Sequence, residues 1–566
     1  MPSESSAGQA SPAPGCVQAD GRGWSWLRRL DSEFSESSEL IALALLALGF
    51  CWRLWLAHAT FFNSDEAWHF AVANQDSLLA AYQASLTLAH PPLLVLILYW
   101  WRHLGTSEVM LRLPGVLAGT LFCWVFYQWL TLVFGRTVAW CGLIFAALLP
   151  PMIVLSAELR QYSLMLMFSV CAAYWLERAL AENSIRMVAL SSVCLWLSML
   201  AHYSAFLFAA SLAVYAILRM LSQPPSVGVI ACWAGGQTAG VGLAWLLYVT
   251  HIAKLSAVYP VAQPLHRFGD FYLHDWYFHA GRDRLLLFLY RGTFGVFRFI
   301  FGQTAIGQIA ALLFLGAVVL LVRQSAWKKQ AMPRWAVVLL IVPFVLNWVA
   351  VVAGLYPYGR TRQCSVLAVF GLAGVSIALA KIARGRAGLA AALALGLVAI
   401  CQAFGTLQGR DLLPLAEQRR ERMDQALRFI RNEISPADLI LTDKSTSFQL
   451  VHYLCRQIPV RVELSEQGLE SFRCDGFRVL STGAKDGALT AENVAARWQD
   501  REHRGGLPSA NQVWVVQSGW ASGLGEALRS QFPGFSRVEP HGFGRYIEVF
   551  QLPAQESERP PMPQPR

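Results

Sequence analysis

The stretch FFNSDEAWHF (61–70) follows the first long apolar run of this 566-residue chain and sets two carboxylates, Asp65 and Glu66, side by side with His69 close behind. A carboxylate next to membrane-like sequence is costly unless it is paired or used. Held against an acceptor hydroxyl, it is a general base. Four further segments place ionisable residues at the ends of apolar runs: His90; Glu158, Arg160 and Tyr162; His202 and Tyr203; and YPYGRTRQ (356–363), which carries Tyr358, Arg360 and Arg362. Arginine offers a planar fork suited to phosphate and keeps its charge when desolvated. A base and arginines together describe group transfer from a phosphate-bearing donor: the base takes a proton, the hydroxyl attacks, and Arg stabilises the departing phosphate. Each segment alone reads equally as an interfacial anchor or an ion pair between loops. Convergence on one side of the membrane is what makes them a site.

The elements that must position these residues follow from composition. The chain is 55% hydrophobic and 14% charged, with 21 Trp, against roughly 45–50% and about 25% in soluble domains. Apolar runs recur near 40–57, 111–133, 137–154, 161–180, 186–201, 203–221, 228–250, 305–322, 335–354, 364–380 and 387–405. Most are long enough to cross a bilayer as helices, at about 1.5 Å rise per residue. HPPLLVLILYWW (90–101) is too short to cross comfortably. Parity supports that reading. With a cytoplasmic N-terminus and about eleven spans, the basic segments at Arg136, 176–186, 219–225, 323–334 and 381–386 all fall inside, as the positive-inside rule requires. A span at 90–101 would turn the later ones outward, so it is read as a juxtamembrane or half-inserted helix entered through Pro91 and Pro92. The opposite, extracytoplasmic face then receives 58–110, 156–162, 201–204, 251–304, 356–363 and everything after 405, and with them every candidate residue.

The expected organisation is an α-helical polytopic membrane protein. A Ser/Ala/Gly/Pro-rich cytoplasmic tail (1–39) precedes a membrane domain (40–405) with a first external loop (58–110) and a long external loop (251–304). The run at 41–59 ends in a loose A-x-A, but the tail before it and the spans after it favour an uncleaved first span. Alternating helical and strand patterns over 415–553 predict a small extracytoplasmic α/β domain, followed by a Pro-rich tail (554–566). No internal repeat is visible.

Several classes fall away. The net charge of +10 is accounted for by the basic inner loops, so nucleic acid is not a partner. No GxxxxGK[ST] loop or strand-borne GxGxxG is present. Water-soluble nucleotide donors belong to the cytoplasm, so a donor used on the outer face would be a membrane lipid phosphate. The 11 Cys show no CxxC or Cys/His metal spacing. Cys455 and Cys474 fall in the polar C-terminal region, where an oxidising compartment would permit pairing. His274, Asp275, His279 and Asp283 fit no zinc signature, and their aromatic neighbours point to an interfacial segment. No cofactor or metal is assigned, a divalent ion being the minor alternative. Arg112 reads equally as a partner of Glu108 or the acidic loop and as a catalytic group.

NSDEAWHFAVA (63–73), AHPPLLVLILYWWRHLGTSEVMLRLPGVLAG (89–119), SAELRQYSLMLMFSV (156–170) and YPYGRTRQ, in this order, resemble the bacterial membrane glycosyltransferases of the dolichyl-phosphate-mannose protein mannosyltransferase-like superfamily. That group has the GT-C fold and includes the aminoarabinose transferase of lipid A. The resemblance covers 40–405 well and the C-terminal region loosely. It implies inverting transfer of a monosaccharide from a polyprenyl-phosphate-linked donor to a hydroxyl of a glycolipid, protein or polysaccharide at the outer face of the plasma (inner) membrane. It makes Asp65 the catalytic acidic position and Glu66 its neighbour. His90 opens the juxtamembrane helix, Glu158, Arg160 and Tyr162 face the cavity, and Arg362 stands near the donor phosphate; His202, Tyr203 and Tyr358 are cavity candidates from their place on the same face alone. Two arginines occupy GRTRQ, and Gln363 stands where close relatives carry His; Arg362 is favoured over Arg360. A lipid or solute transporter, and a scaffold whose C-terminal domain is the working part, are the competing readings. Asp65→Asn separates the first from transfer, and tolerance of changes at Asp65, Arg160 and Arg362 separates the second.

Overall fold

The computed structural model describes residues 38–254, 273–327, 331–404, 418–455, 463–464, 470–481, 512–518, 540–544 and 546–552. The N-terminal tail up to residue 37, residues 255–272 of the long loop and the tail at 554–566 lie outside the described residues. Every apolar run forms helix. The elements are α1 (Ser38–Ala59), α2 (Ser64–Ala73), α3 (Leu78–Ser85), α4 (Leu93–Trp101), α5 (Glu108–Phe134), α6 (Arg136–Leu148), α7 (Pro150–Ala157), α8 (Tyr162–Glu182), α9 (Ile185–Ala201), α10 (Ala205–Ser222), α11 (Val227–Leu247), α12 (Leu285–Phe301), α13 (Thr304–Trp327), α14 (Ala331–Val352), α15 (Ala368–Ile382), α16 (Ala387–Phe404), α17 (Arg420–Glu433) and α18 (Lys444–Leu454). Among the described residues eight helices are long and apolar enough to cross a membrane, and the pair α6–α7, bent by 54°, makes a ninth. α9 and the 336–352 part of α14 are shorter apolar helices. The protein is a multi-pass membrane protein. α4 is nine residues long and starts directly after Pro91 and Pro92, too short to cross.

The α6–α7 bend has an identifiable cause. Pro150 and Pro151 carry no N–H, so the carbonyls of Ala146 and Ala147 lose their helical donors. Arg53 of α1, fully buried, donates to those two oxygens at 2.7 and 2.9 Å. A guanidinium thus replaces the missing amides and holds the bend inside the bundle. The run at 137–154, continuous in the sequence, is therefore two helices. α6 and α15 are buried almost all round, and α11 mostly exposed. This is the difference between a central helix and one facing lipid.

The C-terminal domain is a mixed sheet, with β1 (Leu439–Thr442), β2 (Glu463–Leu464), β3 (Glu470–Cys474), β4 (Phe477–Ser481), β5 (Val513–Ser518), β6 (His541–Gly542) and β7 (Ile547–Gln551) in the order β2-β3-β4-β1-β5-β7-β6. Central β1 runs parallel to β4 and β5; the other pairings are antiparallel. Met423, Ala426, Leu427 and Ile430 form one face of α17 at helical spacing and pack against Ile440, Val479, Trp514 and Val549. Cys455, just after α18, is disulfide-bonded to Cys474 of β3.

Candidate active site

α2 begins on a capping box. The Asn63 side chain accepts from the Glu66 N–H and Glu66 accepts from the Asn63 N–H, each at 3.0 Å. This local exchange turns the two adjacent carboxylates apart. Glu66 is fully buried and takes both Nε and Nη2 of Arg112 at 2.7 Å, with the Leu159 N–H at 2.7 Å on Oε1. Arg112 spends its remaining donors on the carbonyls of Ala57 and Thr60 at 2.8 Å and Phe61 at 3.0 Å. The pair therefore ties the end of α1, the start of α2, the start of α5 and the 158–161 link together. Asp65 keeps its side chain 39% exposed and accepts from Arg160 Nη1 at 2.8 Å.

Glu158 and Arg160 sit on the link between α7 and α8. Glu158 receives Arg362 in a two-pronged contact, at 2.7 and 3.2 Å. Burial raises its carboxyl above the ordinary range, with the Arg362 guanidinium working against the shift. Two carboxylate–arginine couples, Asp65–Arg160 and Glu158–Arg362, are thus joined through one four-residue link (158–161).

The histidines form the adjoining wall. His90 lies between His69 and His202, with ring centroids 5.8 and 5.3 Å away, and Tyr162 is 5.1 Å from His202. Burial, then the charge of Arg160, pushes His69 and His202 down to about 3 and His90 well below its usual range. The wall is neutral. His69 Nδ1 donates to the Asp65 carbonyl at 2.7 Å, which leaves Nε2 as an acceptor. His69 Nε2 and His90 Nδ1 have no hydrogen-bond partner among the described residues, the kind of atom that a substrate or water completes. Tyr203 is set back. Its hydroxyl bonds to His251 Nδ1, and His251 Nε2 donates to the Leu88 carbonyl at 2.8 Å.

Arg360 and Tyr358 face elsewhere. With Arg284, Arg291 and Arg298 they line a cavity of about 660 Å³ that Asp65 does not reach. The three arginines recur every seven residues at and along α12, so they share one side of it. Among the described residues no Asp or Glu forms an ion pair with them; Asp275 and Asp283 face Arg282 at 3.5 and 3.8 Å. Tyr358 is buried, with its hydroxyl 2.8 Å from that of Thr293 on α12. Gly359 lies between Tyr358 and Arg360. Its φ of +147° and the Trp276 ring lying where a Cβ would go make glycine obligatory there. The long loop of the sequence reading thus ends in a helix. Among the described residues, no group of three or more His, Cys, Asp or Glu side chains is arranged to hold a metal.

Sequence reasoning offered the acidic loop as one partner of Arg112, which the structure narrows to Glu66, 46 residues away; it named Glu158 and Arg362 without pairing them, since a separation of 204 residues carries no local signal. It did not single out Arg291 and Arg298 among the arginines of the long loop, although their seven-residue spacing was available, and it missed the C-terminal residues Gln418, Gln449 and Tyr453, which touch the 61–63 turn.

Residues 89–247 match the family model of dolichyl-phosphate-mannose-protein mannosyltransferase. This points to a glycosyltransferase-type enzyme. No curated protein matches the sequence. ArnT from Cupriavidus metallidurans, in a crystal structure with bound undecaprenyl phosphate, superposes with a TM-score of 0.53 at 13% identity, over 92% of this chain and 98% of that one. Its apo state gives 0.52 at 12%, over 91% and 98%. The oligosaccharyltransferase of Archaeoglobus fulgidus, tethered to an acceptor peptide, gives 0.43 at 11%, over 74% of this chain; this chain spans only 63% of that enzyme's length. The chain has the fold of ArnT, the GT-C fold that the sequence motifs imply.

Proposed function

We propose that this protein is an inverting glycosyltransferase that moves a monosaccharide from a polyprenyl-phosphate-linked donor to a hydroxyl acceptor at the extracytoplasmic end of the bundle. The single observation that carries the reading is the split between neighbours: Glu66 is locked by four donors within 3.0 Å while Asp65 stays part-exposed beside Arg160 and a neutral histidine wall. The family-model match over 89–247 supports the reaction class. The ArnT crystal structure holds undecaprenyl phosphate, and a ligand of that chemistry suits the arginine-rich side of this site. The basic inner loops support the orientation.

In this reaction Asp65 takes the proton of the acceptor hydroxyl as its oxygen attacks the anomeric carbon. The carbon–oxygen bond to the donor phosphate breaks, and the polyprenyl phosphate leaves with that electron pair. One displacement inverts the anomeric centre. Glu66 is a positioning residue: it holds Arg112 and the α2 cap. Arg160 and Arg362, each matched by a carboxylate, stand at the reacting end. Arg360 lines one cavity with Arg291 and Arg298, and the positive charge gathered there suits a lipid phosphate. The neutral His69, His90 and His202 offer hydrogen bonds to sugar hydroxyls without adding charge, with Tyr162 backing them. Tyr203 and Tyr358 brace the surrounding loops. The test is the anomeric configuration of the transferred sugar, read by NMR against that of the donor. Inversion is expected, and retention would rule out direct displacement.

A further inference from the structure

Resting on that reading, we propose that the C-terminal domain is a working part of the active site, in which Gln449 and Tyr453 of α18, with Gln418 ahead of α17, are positioning residues that hold the turn presenting Asp65. The turn is Phe61–Phe62, between α1 and α2. All four of its main-chain polar groups are bonded to residues that follow the membrane domain. The Phe61 N–H donates to the Gln418 carbonyl at 3.0 Å, and the Phe61 carbonyl accepts from Gln418 Nε2 at 2.8 Å. The Phe62 N–H donates to the Tyr453 hydroxyl at 2.8 Å, and the Phe62 carbonyl accepts from Gln449 Nε2 at 2.8 Å. Among the described residues, the one membrane-domain side chain that shares these groups is Arg112, on the Phe61 carbonyl at 3.0 Å.

Packing follows the same division. The Phe61 side chain is fully buried in the C-terminal domain's own core, beside residues of α17 and the sheet. Trp68 of α2 stacks on Phe448 of α18, centroids 5.7 Å apart, and the His452 ring lies 4.6 Å from Phe62 and 5.4 Å from Phe70. The Tyr453 hydroxyl in turn donates a hydrogen bond to Glu108 Oε1 at 3.0 Å, at the start of α5. One hydroxyl therefore links the turn to the helix that carries Arg112, the partner of Glu66. An independent appended module would leave the turn's amides to the membrane domain or to water. Here they are assigned, group by group, to the C-terminal domain.

The consequence is chemical. A general base works within about 2.6–3.2 Å of the proton it takes, and a displacement of about 1 Å costs on the order of 100-fold in rate. The carboxylate of Asp65 lies three residues beyond the clamped turn, so its aim depends on the clamp.

The test uses full-length Tyr453→Phe, Gln449→Ala and Gln449→Glu. Hydrogen–deuterium exchange on the solubilised protein should show residues 60–70 exchanging roughly tenfold faster in Tyr453→Phe and Gln449→Ala, with the remaining bundle unchanged. Sugar transfer in isolated membranes, with their endogenous donor and acceptor, should fall at least about tenfold. Gln449→Glu supplies a readout that a merely structural role would not move. Its carboxyl can donate to the Phe62 carbonyl only when protonated, and burial at this position raises a carboxyl above its ordinary range, so its transfer relative to wild type should rise as pH falls from the alkaline side through neutrality, while the Gln449→Ala ratio stays flat. Unchanged exchange, or full transfer, in Tyr453→Phe and Gln449→Ala overturns the proposal, as does a flat ratio for Gln449→Glu. Asp65→Asn is run alongside. If Asp65→Asn is inactive while the α18 variants are fully active, the positioning role alone fails; if Asp65→Asn transfers normally, it is the assignment of the base that fails. Should Tyr453→Phe not accumulate, the two Gln449 variants decide.

Discussion

Glu66→Gln and Asp65→Asn are isosteric changes at adjacent residues, and the structure assigns them opposite consequences. Glu66 is fully buried, with two donors from Arg112 and one each from the amides of Leu159 and Asn63. A glutamine keeps one acceptor oxygen and turns an NH2 towards groups that can only donate. Arg112, itself fully buried, loses its counter-charge. Breaking one side of such a pair costs about 3–5 kcal/mol, which for a chain of this length corresponds to a fall in Tm of about 2.5–4 °C. Asp65 is 39% exposed while its partner Arg160 is 7% exposed, so the pair lies between exposed pairs worth about 0–1 kcal/mol and buried ones worth about 3–5 kcal/mol; Asp65→Asn should therefore melt closer to wild type than Glu66→Gln while losing transfer. The assay is thermal unfolding of the solubilised full-length chain, followed by tryptophan fluorescence. If Glu66→Gln melts like wild type and is nevertheless inactive, the assignment of Glu66 to positioning is refuted and it becomes a reacting group.

Arg362→Met leaves Glu158 buried without its guanidinium; transfer should fall at least about 100-fold and stability by roughly 3 kcal/mol, with stability but not activity recovered in Arg362→Met/Glu158→Gln by thermal melts. Arg291→Ala/Arg298→Ala should raise the KM for the lipid donor about tenfold or more with a smaller change in kcat, read from donor titration in reconstituted vesicles; an unchanged KM would remove the arginine cavity from the donor's path. The histidine wall sets a pH dependence. His69 and His202 fall to about 3 in the folded protein against an ordinary value of about 6.5. Their contribution to stability is therefore fully present above about 6.5 and is lost as pH falls from there towards about 3. Melting temperature should decline over that acid range, and His69→Gln/His202→Gln should flatten the decline.

How much of this was legible in the sequence depends on the range of the interaction. The length of each apolar run marks its helix, and the shortness of 90–101 predicts α4. Asn63 and Glu66 are a capping box at fixed local spacing, which is why α2 starts where it does. The bend at Pro150–Pro151 was hidden because the run stays apolar through it, and the compensating Arg53 lies 93 residues away from Ala146. The separate task of Glu66 was equally hidden: local spacing makes it a neighbour of Asp65, and only Arg112, 46 residues on, turns it inward. α12 was absorbed into the long loop because arginines interrupt its apolar sequence every second turn. The docking of α18 on the Phe61–Phe62 turn is carried by main-chain amides and carbonyls, which no side-chain pattern reports.

The central claim is that this chain transfers a sugar and that Asp65 is the base. Mass spectrometry of surface glycoconjugates from cells carrying the wild-type chain, Asp65→Asn, or no copy tests both parts in one comparison. The account predicts one glycan mass increment that is present with wild type and missing from the other two. An increment that survives in Asp65→Asn would contradict the role of Asp65, and glycoconjugates identical in all three would contradict sugar transfer itself.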